Sequence, residues 1–436
     1  MFRKAMASDD ATLSLDFTTG TMPTAVTFTR SDSTARATYI DVSGYVKTVA
    51  TAGAARFDYT GGVAKGLLIE AAATNKIYGS ESLASSGLPV NWQFSEQVTR
   101  NSTLVTSPRG TDDAVVVNET TANNIHRTGQ FGSPGFTAGD VCTFSCWAKV
   151  AKSSTPRKLF INMTQAIGSS GLFDLTATGN SGTAQATAGT AVNRATSWTK
   201  YQNDWYRVTV TGNWVSDATL RLQINRASSS VATDDSFVGE ADNGIIIWGA
   251  QFELGNTASS YIITGASNLT RLADDAVIRS TAWTSLYSKP GSIVVEYYRG
   301  EYGAGDRSVL AIDTAATKHI HLKHANASAA SGIYNSAGTG VATKATGNAS
   351  GLNKAAFTWS SANPSVIKYA LNGNATVVSA TSDIGATLGT WMTIGSASTT
   401  GVSGSGTWEG YLNNSIKSIK YYSEVLSDAD MIAKTT

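Results

Sequence analysis

Short runs in which every second residue is β-branched or aromatic recur along the whole chain, with Gly, Ser, Thr, Asn and Asp filling the gaps between them. Alternation of this kind sets one row of side chains on a core and the other on solvent, which is the period of a strand and not of a helix. The clearest runs in the middle of the chain are DAVVV (113–117), VCTFSCWAKV (141–150), KLFINM (158–163), WYRVTVTG (205–212), ATLRLQIN (218–225) and NGIIIWGAQFEL (243–254). A second series follows: SIVVEYY (292–298), SVLAID (308–313), KAAFTWS (354–360), IKYALNG (367–373), TWMTIG (390–395) and SIKSIKYY (415–422). Near the start, LSLDF (13–17) and VTFTR (26–30) alternate in the same way, and YIDVSGYV (39–46) reads as a hairpin turning at Ser43-Gly44. One helix is predicted, in LSDADMIAK, where Ser427 is an N-cap before Asp428 and Asp430.

Composition agrees with strands and removes the alternatives. Roughly a quarter of the 436 residues are Ser or Thr, 41 are Gly, and only 15% are charged, so helix formers are scarce. Ten Trp, sixteen Tyr and thirteen Phe are more aromatic surface than a disordered chain leaves in water. A net charge of +1 with no basic stripe excludes a nucleic-acid binder. No apolar stretch reaches the ~18 residues of a membrane span.

Cys142 and Cys146 are the only cysteines. On one strand they lie ~13 Å apart, too far for a disulfide, whose Cα atoms stand ~5.5 Å apart; they read as small core residues. MFRKAMASDD at the start lacks the apolar run of a signal peptide, so synthesis without Sec export is expected, although the composition is that of an extracellular surface protein.

The strand series divides the chain into a small β region (1–75), a first antiparallel sandwich (76–274) and a second (275–436). Three stretches then resemble a known family. GLLIEAAATN (66–75) resembles a box found in phage tail-fibre and related virion proteins, where it precedes a carbohydrate-binding-module-like jelly roll. Residues 244–274 are similar to the closing strand and exit of that jelly roll, and KSIKYYSEVLSDADMIA (417–433) to the end of a laminin-G/concanavalin-like sandwich. The sequence departs from the pattern at Ala72 or Ala73, often Arg in the family, and near Ile263, where a Pro is common. The resemblance implies an all-β virion protein: tandem β-sandwiches, jelly-roll then concanavalin-like, after an N-terminal docking region. It also implies other virion proteins as partners, homo-oligomers of which trimers are the common form, and release from the host by lysis.

Chemistry-bearing groups are sparse. His319, His321 and His324 form H-x-H-x-x-H, in which His319 and His321 share a strand face and are eligible metal ligands; a polar strand face is the competing reading. Asp112-Asp113, Asp234-Asp235 and Asp274-Asp275 are eligible for a structural Ca²⁺, but turn chemistry is the favoured reading of such doublets and no cofactor is expected. The paired-carboxylate spacing of sandwich hydrolases is missing from residues 276–436, so no enzyme is expected. Glu70 ends an apolar run and calls for an Arg, with Arg56 and Arg271 both eligible.

Sugar rings stack on Trp and Tyr, while polar neighbours take their hydroxyls. Trp147, Trp205 and Trp248 stand among apolar residues and read as core. Trp92, Trp214 and Trp408 stand in turns beside Asn, Asp, Gly or Ser, and Tyr298, Tyr302 and Arg307 flank or lie in the loop YYRGEYGAGDR; these are the glycan-binding candidates. The expected function is that of a tail or head fibre that binds a host-surface polysaccharide. An architectural capsid decoration protein is the alternative, and a bacterial carbohydrate-binding protein the second.

Overall fold

Strands from the first and last parts of the chain are hydrogen-bonded into one sandwich, and the central part forms another. The computed structural model describes residues 11–34, 36–81, 94–101, 103–130, 135–163, 169–176, 183–185, 195–216, 220–226, 236–279, 290–300, 307–315, 318–324, 331–334, 340–344, 350–362, 364–383, 391–396 and 410–436.

One sheet of the terminal sandwich runs, in spatial order, Val378–Ser382, Ser365–Leu371, Gly351–Trp359, Gly291–Arg299, Asn414–Tyr422, Val63–Ile69 and Phe57–Thr60. Leu13–Asp16 pairs with Asn414–Tyr422 on the same edge as Val63–Ile69, at its other end: Leu13 is opposite Tyr421, and Ile69 opposite Asn414. The facing sheet runs Thr27–Thr29, Asp275–Arg279, Trp391–Ile394, Arg307–Ala315, Lys318–His324, Ser331–Tyr334 and Gly340–Lys344. Every pairing is antiparallel. Leu15, Phe17, Val26, Leu67 and Ile69 share a buried core with Ile293, Phe357, Trp359, Ile394 and Tyr421. Each such side chain contributes about 1.5–3 kcal/mol through the apolar area it removes from water.

This corrects the expected separate N-terminal β region of residues 1–75. Four of its strands belong to the second sandwich, because their alternating faces find their complement there and not in one another.

The central sandwich is a jelly roll hung on this frame. One sheet runs Val105–Thr106, Asp112–Glu119, Gly244–Leu254, Val141–Val150, Tyr206–Asn213 and Ala195–Lys200, and the other runs Thr183–Gln185, Ser169–Asp174, Arg157–Met163, Leu220–Arg226, His126–Gln130 and Phe94–Glu96. The fold is thus all-β, two antiparallel sandwiches of which the jelly roll is inserted into the chain of the other rather than preceding it in tandem. Its described helix, Asp428–Thr435, is the one the sequence predicts: the Ser427 side chain caps it by accepting from the Asp430 N–H at 3.1 Å. Met431 on that helix and Leu426 before it cover the outer face of the terminal sheet over Val294, Ala356, Ala370 and Tyr422.

Val141–Val150 shows how period two serves two cores at once. Cys142, Phe144, Cys146 and Ala148 face the jelly-roll interior, while Trp147 faces the opposite way into a smaller cluster with Trp205, Trp248 and Tyr261. Both cysteines are buried and unbridged. Burial, reinforced by Asp140, pushes the Cys142 thiol up to about 12. Burial lifts the Cys146 thiol further, against the opposing charge of Arg207. Neither thiol is expected to react with a thiol-specific aromatic disulfide reagent at pH 8 in the folded protein, and both should react once urea unfolds it; labelling of the native chain would refute their placement.

Candidate functional site

The path between the sandwiches crosses a buried ionic cluster. Glu70, at the end of Val63–Ile69, accepts from Arg56 Nη1 at 2.6 Å and from the Ser260 N–H and Oγ, each at 2.7 Å; Arg271 Nη2 lies 3.4 Å away. Asp274 accepts from Arg30 Nη1 at 2.9 Å, from Arg56 Nη2 and from the Glu70 N–H at 2.9 Å. Arg30 also reaches Asp32 at 2.6 Å. The two arginines eligible from sequence thus both converge on Glu70. Three guanidinium groups balance three carboxylates, the condition on which buried charge is tolerated.

Gly66 and residues 73–75 of the same stretch have structural roles as well. Gly66 sits at φ +101°, and a Cβ on it would stand 2.1 Å from the Ile416 carbonyl oxygen, so only glycine allows this strand to approach its neighbour. Ala73–Asn75 then pairs with Leu269–Arg271 as a two-stranded neck, with the Thr74 and Thr270 hydroxyls 2.8 Å apart. Asn75 is fully satisfied: its Nδ2 donates to the Ala250 and Ile262 carbonyls, and its Oδ1 accepts from the Ile77 and Phe252 N–H groups.

Beside this cluster, where the two sandwiches meet, lies a recess of about 170 Å³. The terminal sandwich supplies Asp58, Lys65 and Glu70 to its wall, the hairpin Thr38–Ile40/Val46–Thr48 supplies Tyr39, and the jelly roll supplies Trp147, Tyr201, Arg207 and Tyr261. Trp147 is buried beneath the Arg207 guanidinium, 4.6 Å from its ring centroid. Tyr201 packs beside it at 6.3 Å, and burial, against the nearby Arg207 charge, raises its hydroxyl to about 12. Arg207 Nη2 donates to the Ser259 carbonyl at 2.6 Å and to Ser145 Oγ at 3.2 Å.

A second recess of about 340 Å³ shares Tyr201, Arg207 and Ala258 with the first. Its wall is mostly small polar groups: Ser197, Thr199, Thr209, Thr211, Asn256 and Thr257. The two recesses form one groove with a charged, aromatic end and a hydroxyl-rich end.

Of the candidates from sequence, Tyr298 reaches this groove indirectly: it is half-buried on Gly291–Arg299, with the Lys65 ammonium 5.1 Å from its ring centroid. Arg307 donates to Asn256 Oδ1 at 3.1 Å and so stands behind the second recess. Trp214 is a correction. It is only 4% exposed, edge-on to Phe136 at 5.4 Å and 6.1 Å from Phe252, so it closes the jelly-roll core and offers no sugar platform. His321 is buried, with its Nε2 3.0 Å from Ser308 Oγ. Trp92, Tyr302, Trp408, Asp234, Asp235 and the side chain of His319 lie outside the described residues. Among the described residues, no three His, Cys, Asp or Glu side chains converge as metal ligands would, and no helix is long and apolar enough to cross a membrane.

The groove residues Tyr39, Asp58, Lys65, Tyr201 and Arg207 escape the reading of the sequence. One signal is present: YQNDWYR (201–207) has the same Tyr, Arg and turn-residue make-up as 297–307, and Asn203 and Asp204 adopt φ of 55° and 59° there.

The fold and groove together define an all-β protein with a polar seam between two sandwiches, edged by the half-buried Tyr39 and Tyr201. No family model and no curated protein matches the sequence. Among solved structures it is similar to the mouse laminin alpha1 chain, domains LG4-5, with 12% identity over 68% of this chain and 84% of that chain and a TM-score of 0.23.

Proposed function

We propose that this protein is a virion component of a bacteriophage that binds a host-surface glycan along the seam groove, without turning it over. The groove is the observation that carries the glycan reading. The half-buried rings of Tyr39 and Tyr201, the opposite charges of Asp58 and Lys65 and the Ser and Thr hydroxyls are the groups that hold an oligosaccharide by ring packing and hydrogen bonds. The virion reading is supported by GLLIEAAATN, whose Gly66, Glu70, Thr74 and Asn75 each have a physical role in launching the jelly roll from the terminal sandwich.

A microarray of bacterial surface polysaccharides probed with the intact protein tests this reading. Specific binding is expected, and Tyr201→Ala should weaken it about tenfold, the loss of one aromatic contact worth about 1.4 kcal/mol. If no glycan binds and the protein instead decorates empty capsids, the architectural alternative holds. New reducing ends in a bound polysaccharide would overturn binding without turnover.

A further inference from the structure

The charged end of the groove is built for one kind of sugar. Asp58 Oδ1 accepts from the Ile40 N–H at 2.8 Å. Its Oδ2 lies 3.7 Å from Lys65 Nζ, an ion-pair separation too long for a hydrogen bond. Asp58 thus keeps acceptor capacity and Lys65 keeps donors on the wall of the same recess. Of the other two charges there, Glu70 is committed to Arg56, Arg271 and Ser260, while Arg207 lies over Trp147 and donates through Nη2 to Ser145 and Ser259, its buried Nε making no hydrogen bond.

With two carboxylates and two cations, the wall has no surplus positive charge. Burial raises the Asp58 carboxyl, Glu70 adds to this, and Lys65, the Ile40 N–H and Arg56 oppose it. Another negative charge would be placed where the existing one is already disfavoured. A space of about 170 Å³ is on the scale of a single sugar ring and too small for a longer oligosaccharide.

Resting on the glycan reading above, we propose that this recess selects a neutral sugar carrying adjacent hydroxyls. One hydroxyl donates to Asp58 Oδ2 and its neighbour accepts from Lys65 Nζ, while sugars bearing a carboxylate or sulfate are turned away. Tyr298, against Lys65, holds the ammonium in place.

The test is a binding comparison at pH 7 between neutral polymers (mannan, galactan, dextran) and acidic ones (hyaluronate, polysialic acid, heparin), with methyl mannoside, methyl galactoside and glucuronate as competitors. Neutral polymers are expected to bind at least about tenfold more tightly, the factor that corresponds to one hydrogen bond to a charged group. Asp58→Asn and Lys65→Met should each weaken neutral binding by a similar factor, with thermal melting run on both variants. Lys65 is the more exposed of the pair, so Lys65→Met keeps the test decisive if Asp58→Asn fails to fold. Equal or tighter binding of the acidic polymers overturns this selectivity while the glycan reading stands. Neutral binding that Lys65→Met leaves unchanged overturns it as well. Binding of no polymer at all defeats the glycan reading and this inference with it.

Discussion

Arg56→Met is expected to lower the unfolding free energy by about 3–5 kcal/mol, the usual cost of removing one partner from a buried ion pair. Arg56 is fully buried, and its two terminal nitrogens go to different carboxylates, Nη1 to Glu70 and Nη2 to Asp274. Methionine fills much of the volume but leaves two buried negative charges sharing Arg30 and Arg271. Arg56→Lys should recover little of the loss, since a single ammonium cannot serve both carboxylates in the planar fork geometry. Urea titration of the three proteins decides the matter; a loss under 1 kcal/mol for Arg56→Met would mean that the cluster does not hold the sandwiches together.

The same cluster sets an acid limit. Burial alone would raise the Glu70 carboxyl, but Arg271, Arg56 and the Ser260 donors outweigh it and hold the group well below the usual carboxylate range. A carboxyl depressed in this way binds fewer protons folded than unfolded. Its contribution is complete above the ordinary value of 4.5 and is lost as pH falls below it toward the folded-state value. The wild-type midpoint should therefore fall as pH drops below 4.5, and Glu70→Gln should flatten that limb.

Gly66→Ala should cost about 3 kcal/mol or more, well above the ordinary Gly-to-Ala effect, because strain and collision combine. At φ +101° an L side chain is already strained, and the atoms its Cβ would meet are the Ile416 carbonyl and Lys417 Cα, backbone that yields only if Val63–Ile69 parts from Asn414–Tyr422. Gly61→Ala is the matched control. Gly61 also has positive φ, but nothing lies within 4 Å of its Cβ position, so only the conformational penalty of about 1–2 kcal/mol applies. Equal losses at the two positions would show that crowding at Ile416 is absent.

Local pattern carried most of the secondary structure. The predicted 141–150 coincides with its strand, 243–254 and 415–422 each differ by one residue at the start, and the helix after Ser427 is in place. What escaped was pairing over long sequence distances. Nothing in LSLDF announces that Leu13 lies against Tyr421, since period two shows that a strand has a buried face but not whose. Glu70 was legible because a carboxylate closing an apolar run demands a cation. Trp214 was misread for the opposite reason: its neighbours Asn213, Ser216 and Asp217 look like a turn, yet Phe136 and Phe252 cover the ring. The groove was invisible because residues 39, 58, 65, 201 and 207 come from strands and turns that meet only in three dimensions.

The neck has a consequence for how such a molecule changes over generations. Glu70 and Asp274 mark the points where the chain leaves and re-enters the terminal sandwich, and they are joined directly: the Asp274 N–H donates to the Glu70 carbonyl at 3.0 Å, and the Glu70 N–H to the Asp274 carboxylate at 2.9 Å. To the terminal sandwich, the roughly two hundred residues in between amount to a closed turn, so their number hardly matters to its closure entropy. Chain closure alone thus leaves the inserted module free to vary in length, but a replacement must also supply the Ser260 donors to Glu70 and cover Val46 of the hairpin, as Trp147 and Tyr261 do.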